Sequence, residues 1–188
     1  MPLHWVLEAP DVLLDRGGFD AVIGNPPFLG GIKISGAMGG NLRDWLSNVL
    51  GRGAGGGRAD LVAYFFLRAT SLLQAKGCLG LIATNTVAQG DSREVGLDAM
   101  LGNGFTITRA IRSRSWPASS ANLEFAAVWG TLQSIPDELP RVADGIAVRG
   151  ISALLEPVGR AEGMPVRLAE NAGISFEGMK PYGQGFVV

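Results

Sequence analysis

An asparagine, two prolines and a phenylalanine, Asn25-Pro26-Pro27-Phe28, directly follow the apolar run over residues 19–24. Two successive prolines fix their own φ at about −65° and remove two backbone donors, so the neighbouring carbonyls are free to accept hydrogen bonds from a ligand. The Asn25 side-chain oxygen and a carbonyl of the Asn-Pro-Pro stretch can accept from one amino group, while Phe28 offers a flat surface on which a base can stack. The chemistry that fits these four residues is recognition of the exocyclic amino group of a base.

Methylation of such an amino group is the reaction that this arrangement favours. An enzyme acting on it in duplex DNA must first rotate the base out of the helix, and stacking on Phe28 compensates part of the unstacking cost. Two acceptors on one amino group also draw its hydrogens out of the ring plane, which localises a lone pair on the nitrogen. A poor nucleophile can then be methylated without a strong base. No metal is needed for this, and with His4 as the only histidine no metal site is predicted.

The elements around the tetrapeptide alternate between strands and helices, which is typical of an α/β sheet of mostly parallel strands with helices on both faces. Residues 19–24 form a nearly continuous apolar run, as expected for a strand that is buried on both faces. A second buried strand is expected over 78–84. Open α/β sheets bind ligands beyond the carboxyl ends of their strands, so Asn25 and Asn85 should lie at one functional edge.

The rest of the chain supplies the covering helices and the outer strands. A helix is expected over about 61–75, where apolar residues recur at helical spacing between Asp60 as its cap and Gly77 as its end. A short helix is expected over 91–101. Two further strands are expected over 105–111 and 122–132, with a polar loop over 113–121 between them. A short edge strand is expected over 142–148 and a single helical turn over 151–155.

The tetrapeptide resembles the catalytic motif of the amino-methylating DNA methyltransferases, which use S-adenosylmethionine, and its Asn-Pro-Pro-aromatic form is typical of those acting on adenine N6. The resemblance extends over about residues 4–132 to large bacterial restriction-modification chains that carry methyltransferase and endonuclease together. The segments that carry it are His4-Trp5, Gly17–Asp20, Gly30–Gly36, Ala59–Leu61, Ala63–Ala69, Gly80–Thr86, Gln89–Leu97 and Ala121–Glu124.

The resemblance implies the C-terminal half of a class I, Rossmann-like methyltransferase fold with an antiparallel terminal hairpin. It implies that Asn25 and the Pro26 carbonyl hold and polarise adenine N6, that Pro27 completes the rigid turn and that Phe28 stacks on the ring. The methyl group would pass from S-adenosylmethionine to a flipped adenine in double-stranded DNA, in a restriction-modification or phage-defence system. The loop over 113–121 would correspond to the hairpin beside the target-base pocket.

The glycine-rich turn that holds the methyl donor in this family normally lies further upstream of the catalytic motif than the 24 available residues allow. The string over 51–56 satisfies G-x-G-x-x-G, but it follows a helix-like stretch rather than a strand, so a flexible loop is expected. Asn25, at the shared edge of the pocket, is the one candidate contact with the donor. The chain is therefore expected to be a fragment, partnered by the remainder of a split or truncated methyltransferase and inactive alone.

The net charge is low for a DNA-binding protein, at −1, so affinity must come from a local patch or from another part of the protein. Candidate DNA contacts are Lys33, in a glycine-rich stretch expected to be a mobile loop, and Arg112, Arg114 and Trp116, which follow Arg109 near a strand end. Solvated arginines and an ordinary surface loop are the alternatives. For Trp116, packing over the sheet is an equally good interpretation.

The composition is that of a globular cytoplasmic protein. A hydrophobic content of 47% excludes a disordered chain. No apolar stretch approaches the ~20 residues needed to span a membrane, and the single Cys78 suits a reducing compartment. Residues 1–135 are expected to form the partial catalytic domain, and 136–188 a linker and the start of a connector to a target-recognition domain.

Two alternatives to an adenine-N6 DNA methyltransferase stay open. One is a methyltransferase-like domain that acts on another amino group, such as cytosine N4 or a protein glutamine. By the family resemblance, cytosine enzymes tend to use Ser-Pro-Pro and glutamine enzymes prefer tyrosine at the fourth position, where this chain has Phe28. The other alternative is a non-catalytic remnant that only folds or binds.

Overall fold

The computed structural model of the protein describes residues 4–52, 54–117 and 124–159. Residues up to Val158 form one compact unit, and Gly159–Val188 form a second, which lies almost wholly outside the described residues together with the predicted connector. The first unit contains a sheet of six strands: β1 (Phe19–Gly24), β2 (Leu73–Thr84), β3 (Thr106–Ser115), β4 (Glu124–Thr131), β5 (Arg141–Ala143) and β6 (Ile146–Val148).

The strand order is β1-β2-β4-β3-β5-β6. β1 pairs in parallel with β2, and β3 with β5, whereas β4 is antiparallel to both of its neighbours and β6 is antiparallel to β5. Four strands therefore point in one direction and two in the other. This mixed sheet with its β3-β4 hairpin confirms the predicted α/β class.

The helices are short and several continue into π-helical or 3-10 turns. The helix predicted over 91–101 is present as a helical stretch from Gly90 to Gly102. No helix in the described ranges is long and apolar enough to cross a membrane. The α-helices are α1 (Trp5–Glu8), α2 (Gly31–Met38), α3 (Gly40–Trp45), α4 (Leu61–Ser71), α5 (Gly90–Arg93) and α6 (Ala99–Gly102), the π-helical segments are Asp11–Asp15, Leu46–Leu50 and Glu94–Asp98, and the 3-10 turns are Ala54–Gly57 and Asn85–Ala88.

α4 ends earlier than its apolar periodicity predicts, because the chain after it joins the sheet. The N–H of Phe19 donates to the carbonyl of Leu72 (2.8 Å), and Leu73 already pairs with Phe19 as the first residue of β2. Pairing with a distant strand thus overrides the local helical preference at residues 73–75. β2 is correspondingly longer than the predicted strand over 78–84.

α4 and the later helical stretch pack on one face of the sheet, here called the covered face. Val62 and Phe66 of α4 meet Leu97 and Met100 of the later helical stretch over this face, and Phe66 is 0% exposed. Burial of these apolar side chains is the main stabilising contribution of the fold. The strand residues of the covered face include Leu79, Leu81, Ala83, Ala126 and Val128.

The opposite side of the sheet, here called the open face, is marked by the row Ile23, Gly80, Trp129 and Arg109, which lie opposite one another on successive strands. Ile23 is 86% exposed and Trp129 is 36% exposed. The prediction that β1 is buried on both faces is therefore wrong within the described residues. β1 is the edge strand of the described sheet, and its Val22 packs against the core of the covered face.

The glycine-rich stretch after Phe28 was predicted to be a mobile loop, and the structure shows the helix α2 instead. Ile34 of α2 is 1% exposed and packs into a second core cluster with Leu61 and Tyr64. A Cβ on Gly31 would clash with the Arg58 carbonyl, so glycine here permits a close approach of two backbones. The burial of Ile34 and the close approach of Gly31 to Arg58 therefore stabilise a helix in a segment whose glycine-rich composition favours a loop.

The last described elements also differ in detail from the predictions. The strand predicted over 142–148 is a hairpin of β5 and β6, turned by Asp144 (φ 49°) and Gly145 (φ 87°), the conformation that Asp-Gly favours in two-residue hairpins. The predicted helical turn over 151–155 is wrong, because Ile151 bridges to Pro157 and Leu155 has φ 58°. The predicted domain boundary at 135 stays a prediction.

Candidate active site

Asn25-Pro26-Pro27-Phe28 lies immediately beyond the carboxyl end of β1. Pro26 is buried and Phe28 is half-buried against the main core, whereas Asn25 and Pro27 are exposed. Burial of Pro26 and Phe28 anchors the turn, since their side chains belong to the packed interior. Asn25 is left with its amide group towards solvent, where a ligand can reach it.

Asn85 lies at the same edge of the sheet, as predicted. β2 runs parallel to β1, with Gly24 opposite Leu81, and continues to Thr84 before Asn85 begins a 3-10 turn. The carboxyl ends of the two strands therefore point the same way. Both asparagines follow neighbouring strands at the edge where open α/β sheets bind their ligands.

A polar network that was not predicted joins three strand ends at this edge. The Asn85 amide Nδ2 donates to Glu124 Oε2 (2.9 Å), and the Ser113 hydroxyl donates to the same oxygen (2.5 Å). Asn85 directly follows β2, Ser113 lies near the end of β3 and Glu124 begins β4, so the network connects the loop end of the β3-β4 hairpin to the end of β2. It borders a cavity of ≈ 290 Å³ whose lining includes Asn85, Gln89, Arg112, Ser113, Glu124 and Asp144.

The arginines that were predicted near a strand end, Arg109, Arg112 and Arg114, all lie within β3. Arg109 and Arg114 pair with Trp129 and Phe125 of β4, and the Arg109 guanidinium lies 6.0 Å from the centre of the Trp129 ring. Arg112 lies in a bulge between them, which interrupts the expected row of positive charge.

Acidic groups surround Arg112. Its backbone N–H donates to Asp144 Oδ1 (3.1 Å), and its guanidinium forms an ion pair with Glu156. These contacts offset part of its positive charge. Arg114 is exposed and belongs to the end of β3 that lies at the same edge of the sheet as Asn85.

Trp116 and Lys33 are placed differently. The Trp116 ring packs edge-to-face on Phe125, with ring centres 5.4 Å apart and planes at 82°. Trp116 therefore packs over the sheet, as in the alternative interpretation, and it directly follows the end of β3 at the functional edge. Lys33 is exposed on α2, the helix that follows the tetrapeptide. The part of the predicted loop over 118–121 lies outside the described residues.

The backbone directly after Phe28 is tied to the start of α4. The Leu29 N–H donates to Asp60 Oδ1 (3.3 Å), and the Leu29 carbonyl accepts from the N–H of Leu61 (2.9 Å). Asp60 also caps α4 as predicted, since its Oδ1 accepts from the N–H of Val62 (3.0 Å). The sequence signals the cap by residue type, but it carries no signal for the contact with Leu29.

The glycine-rich string over 51–56 does not have the structural context of the main binding turn of a methyl donor. Gly51 follows the π-helical segment Leu46–Leu50, and Ala54–Gly57 is a 3-10 turn, so the string over 51–56 lacks the strand before it that such a turn requires, as predicted. β1 is the first strand in the described ranges. Within those ranges, no cluster of three or more His, Cys, Asp or Glu side chains could hold a metal ion.

The model of the Eco57I restriction-modification methylase family matches residues 2–111. The chain belongs to this family. The matched range contains the tetrapeptide, Asp60 and Asn85, and it ends within β3 before Arg112. The predicted membership in the restriction-modification methyltransferases is thereby confirmed.

A solved structure supports the fold of this methylase-family chain. The Type IIL restriction-modification enzyme MmeI, solved in complex with DNA, matches with a TM-score of 0.63 and 20% sequence identity over 81% of the chain. The chain spans 21% of the MmeI chain. No curated protein sequence matches it significantly.

Proposed function

We propose that the chain is the base-binding half of a site-specific DNA adenine-N6 methyltransferase of a restriction-modification or phage-defence system. One observation carries the proposal: Asn25-Pro26-Pro27-Phe28 lies at the carboxyl end of β1, beside the end of β2, in a chain of the Eco57I methylase family. Family membership supports the reaction class, and the aromatic at the fourth position of the motif supports adenine.

The residues of the motif have separate roles in binding the acceptor base. The Asn25 Oδ1 and the Pro26 carbonyl accept hydrogen bonds from adenine N6, while the Phe28 ring stacks on the base. The burial of Pro26 and the packing of Phe28 against the core hold these groups in place before the base arrives, which reduces the ordering cost of binding. S-adenosylmethionine supplies the methyl group when bound.

The DNA partner is a duplex from which one adenine has been rotated. Arg114 and Lys33 are exposed near the functional edge, and we assign them phosphate contacts. Arg112 contributes less, because Glu156 and Asp144 already engage it. Trp116 supports the hairpin beside the base through its packing on Phe125.

The donor-binding half of the enzyme is proposed to lie on another polypeptide segment. The open face and the outer edge of β1 offer it a place, since parallel sheets are normally covered on both faces and strand edges are normally paired. The small share of MmeI that the chain spans agrees with this division. We expect little or no turnover from the chain alone.

Methyl incorporation into DNA tests the proposal. The chain is joined to a donor-binding segment from a methylase of the same family and incubated with labelled S-adenosylmethionine and unmethylated DNA, and the nucleosides are then separated. We expect N6-methyladenine as the product and a loss of ~10²-fold or more in rate for Asn25→Ala, since electrostatic contacts of this kind contribute such factors. Asn48→Ala, an exposed asparagine on the helical segment after α3, is the matched control.

Each alternative has its own result. Equal incorporation by wild type and Asn25→Ala would overturn the assignment of the site. N4-methylcytosine as the only product would move the target to cytosine, and label found in protein rather than DNA would indicate a glutamine substrate. Calorimetry of the present chain with S-adenosylmethionine is a second test, because micromolar binding would contradict the division into two halves.

A further inference from the structure

Two segments that are far apart in sequence run side by side behind the tetrapeptide. Leu29 exchanges hydrogen bonds with Asp60 and Leu61, and Gly31 lies so close to the backbone of Arg58 that a side chain there would clash. The residues just after Phe28 are thereby joined to the N-terminal end of α4. Any shift of that end would move the backbone that carries the Phe28 ring.

A single carboxylate oxygen makes the decisive contacts. Asp60 Oδ1 accepts from Leu29 N (3.3 Å) and from Val62 N (3.0 Å), so one oxygen serves the loop and the helix together. A carboxylate is also stabilised by the positive end of the helix dipole. The N–H of Asp60 in turn donates to Oγ of the buried Ser92 (2.9 Å), which fixes Asp60 against the helical stretch that begins at Gly90.

We propose that Asp60 is a positioning residue for base binding: by holding Leu29 against α4, it fixes the orientation of Phe28 beneath the target base. The backbone at Phe28 is held on one side by the turn with the buried Pro26 and on the other by Leu29, and the ring packs against the main core, so the tie to Asp60 limits where the ring can lie. This inference rests on the proposed function, and it adds a residue outside the tetrapeptide to the same site.

Three variants separate the tie to Leu29 from the helix cap. Asp60→Asn keeps a side-chain oxygen at the same position and should preserve both contacts. Asp60→Ser keeps a good cap, but its hydroxyl is one atom closer to the backbone and cannot serve both amides. Asp15→Ser, at an exposed aspartate of the π-helical segment Asp11–Asp15, is the matched control.

Amide hydrogen exchange of the full chain measures the tie directly. In wild type and Asp60→Asn we expect the Leu29 and Val62 amides to be protected. In Asp60→Ser the Leu29 amide should exchange on the order of fivefold faster or more, while Val62 keeps its protection. Unchanged exchange at Leu29 in Asp60→Ser, or an equal loss at Leu29 and Val62, would overturn the proposal.

Photo-crosslinking connects the tie to base binding. A single-stranded oligonucleotide with 5-iodouracil is irradiated with each variant, and the crosslinked peptide is identified by mass spectrometry. We expect a crosslink at Phe28 whose yield falls severalfold in Asp60→Ser and recovers in Asp60→Asn. A wild-type chain that forms no crosslink at Phe28 contradicts the proposed function and the purpose of the tie. Full yield in Asp60→Ser contradicts the positioning role alone.

Discussion

The two faces of the sheet are built from the same strands, yet the side chains of one face are buried and those of the other include large exposed apolar residues. On the covered face, Leu79 and Leu81 of β2 lie under α4, and the side chains form a continuous core. On the open face, the alternate residues of the same strands include the exposed Cys78, and Ile23 and Trp129 lie on either side of Gly80. Strand alternation alone cannot produce this difference, because both sets of residues are largely apolar.

The apolar residues of the open face are of the kind that a sheet carries when both of its faces are covered. A parallel sheet with one face in water normally shows polar residues on that face, whereas Ile23, Trp129 and Ile82 are apolar. Arg109 is the one charged member of the open-face row, and it lies on the Trp129 ring. The open face is therefore suited to a second polypeptide layer, which agrees with the division of the enzyme proposed above.

Truncation of a core side chain should show the largest contrast between the faces. Phe66→Ala is expected to lower the free energy of unfolding by about 3–5 kcal/mol, because it leaves a cavity in the covered core. Ile23→Ala on the open face should change it by less than about 0.5 kcal/mol. Urea unfolding of both variants checks this, with Phe65→Ala, its exposed neighbour on α4, as the control. A large loss for Ile23→Ala would mean that the open face is covered in solution.

Thiol labelling compares adjacent residues of β2 on opposite faces. Cys78, the only cysteine, is expected to react with a maleimide at close to the rate of a free thiol. Leu79→Cys in a Cys78→Ser background should react about 100-fold more slowly, since the buried position must first open. Joining the donor-binding segment should then protect Cys78. Equal rates for the two thiols would contradict the assignment of the faces.

Glycines of α2 provide a contrast inside one helix. Gly31→Ala should destabilise the protein by about 1–3 kcal/mol, because the new methyl group meets the Arg58 carbonyl. Gly36→Ala, on the same helix with open space at its Cβ position, should be neutral or stabilise by up to about 1 kcal/mol. Thermal unfolding distinguishes the two. A stable Gly31→Ala variant would show that the segments after Phe28 and before α4 are not in contact.

The smallest expected effect is a shift in the pKa of Tyr64, which lies in the second core cluster. Burial raises the pKa of the Tyr64 phenol above its usual value, although a hydrogen bond with Ser47 and the charge of Arg43 oppose the shift. The folded state therefore keeps this proton at pH values at which the unfolded state has lost it. The contribution of Tyr64 to the free energy of unfolding is fully present below pH ~10, the ordinary pKa of a phenol, and is lost as the pH rises above that value. Absorbance titration should show one late phenol that Tyr64→Phe removes, leaving only Tyr182. Two phenols that titrate together at the usual value would contradict the burial.

The strands and the main helix could be predicted from sequence because their signals are local. The apolar run of β1, the Asp60 cap and the motif at residues 25–28 depend on neighbouring residues only. The early end of α4 could not be predicted, since it depends on pairing of Leu73 with a strand more than fifty residues away. Lys33 was expected on a loop for the same reason, because the contacts that hold α2 come from other segments.

The features of the candidate site likewise fall into those that are local in sequence and those that depend on contacts between distant segments. The sequence by itself determined the methylase family and the rigid turn of the motif, because two prolines between an amide and an aromatic ring restrict the backbone wherever the turn lies. Only the tertiary structure decided the contacts around that turn: Asp60 reaches Leu29 across 31 positions, and at the same edge of the sheet Asn85 reaches Glu124 across 39. It also decided which face of the sheet is covered, since burial depends on the layers that pack on a strand, and a strand's own residues do not specify them.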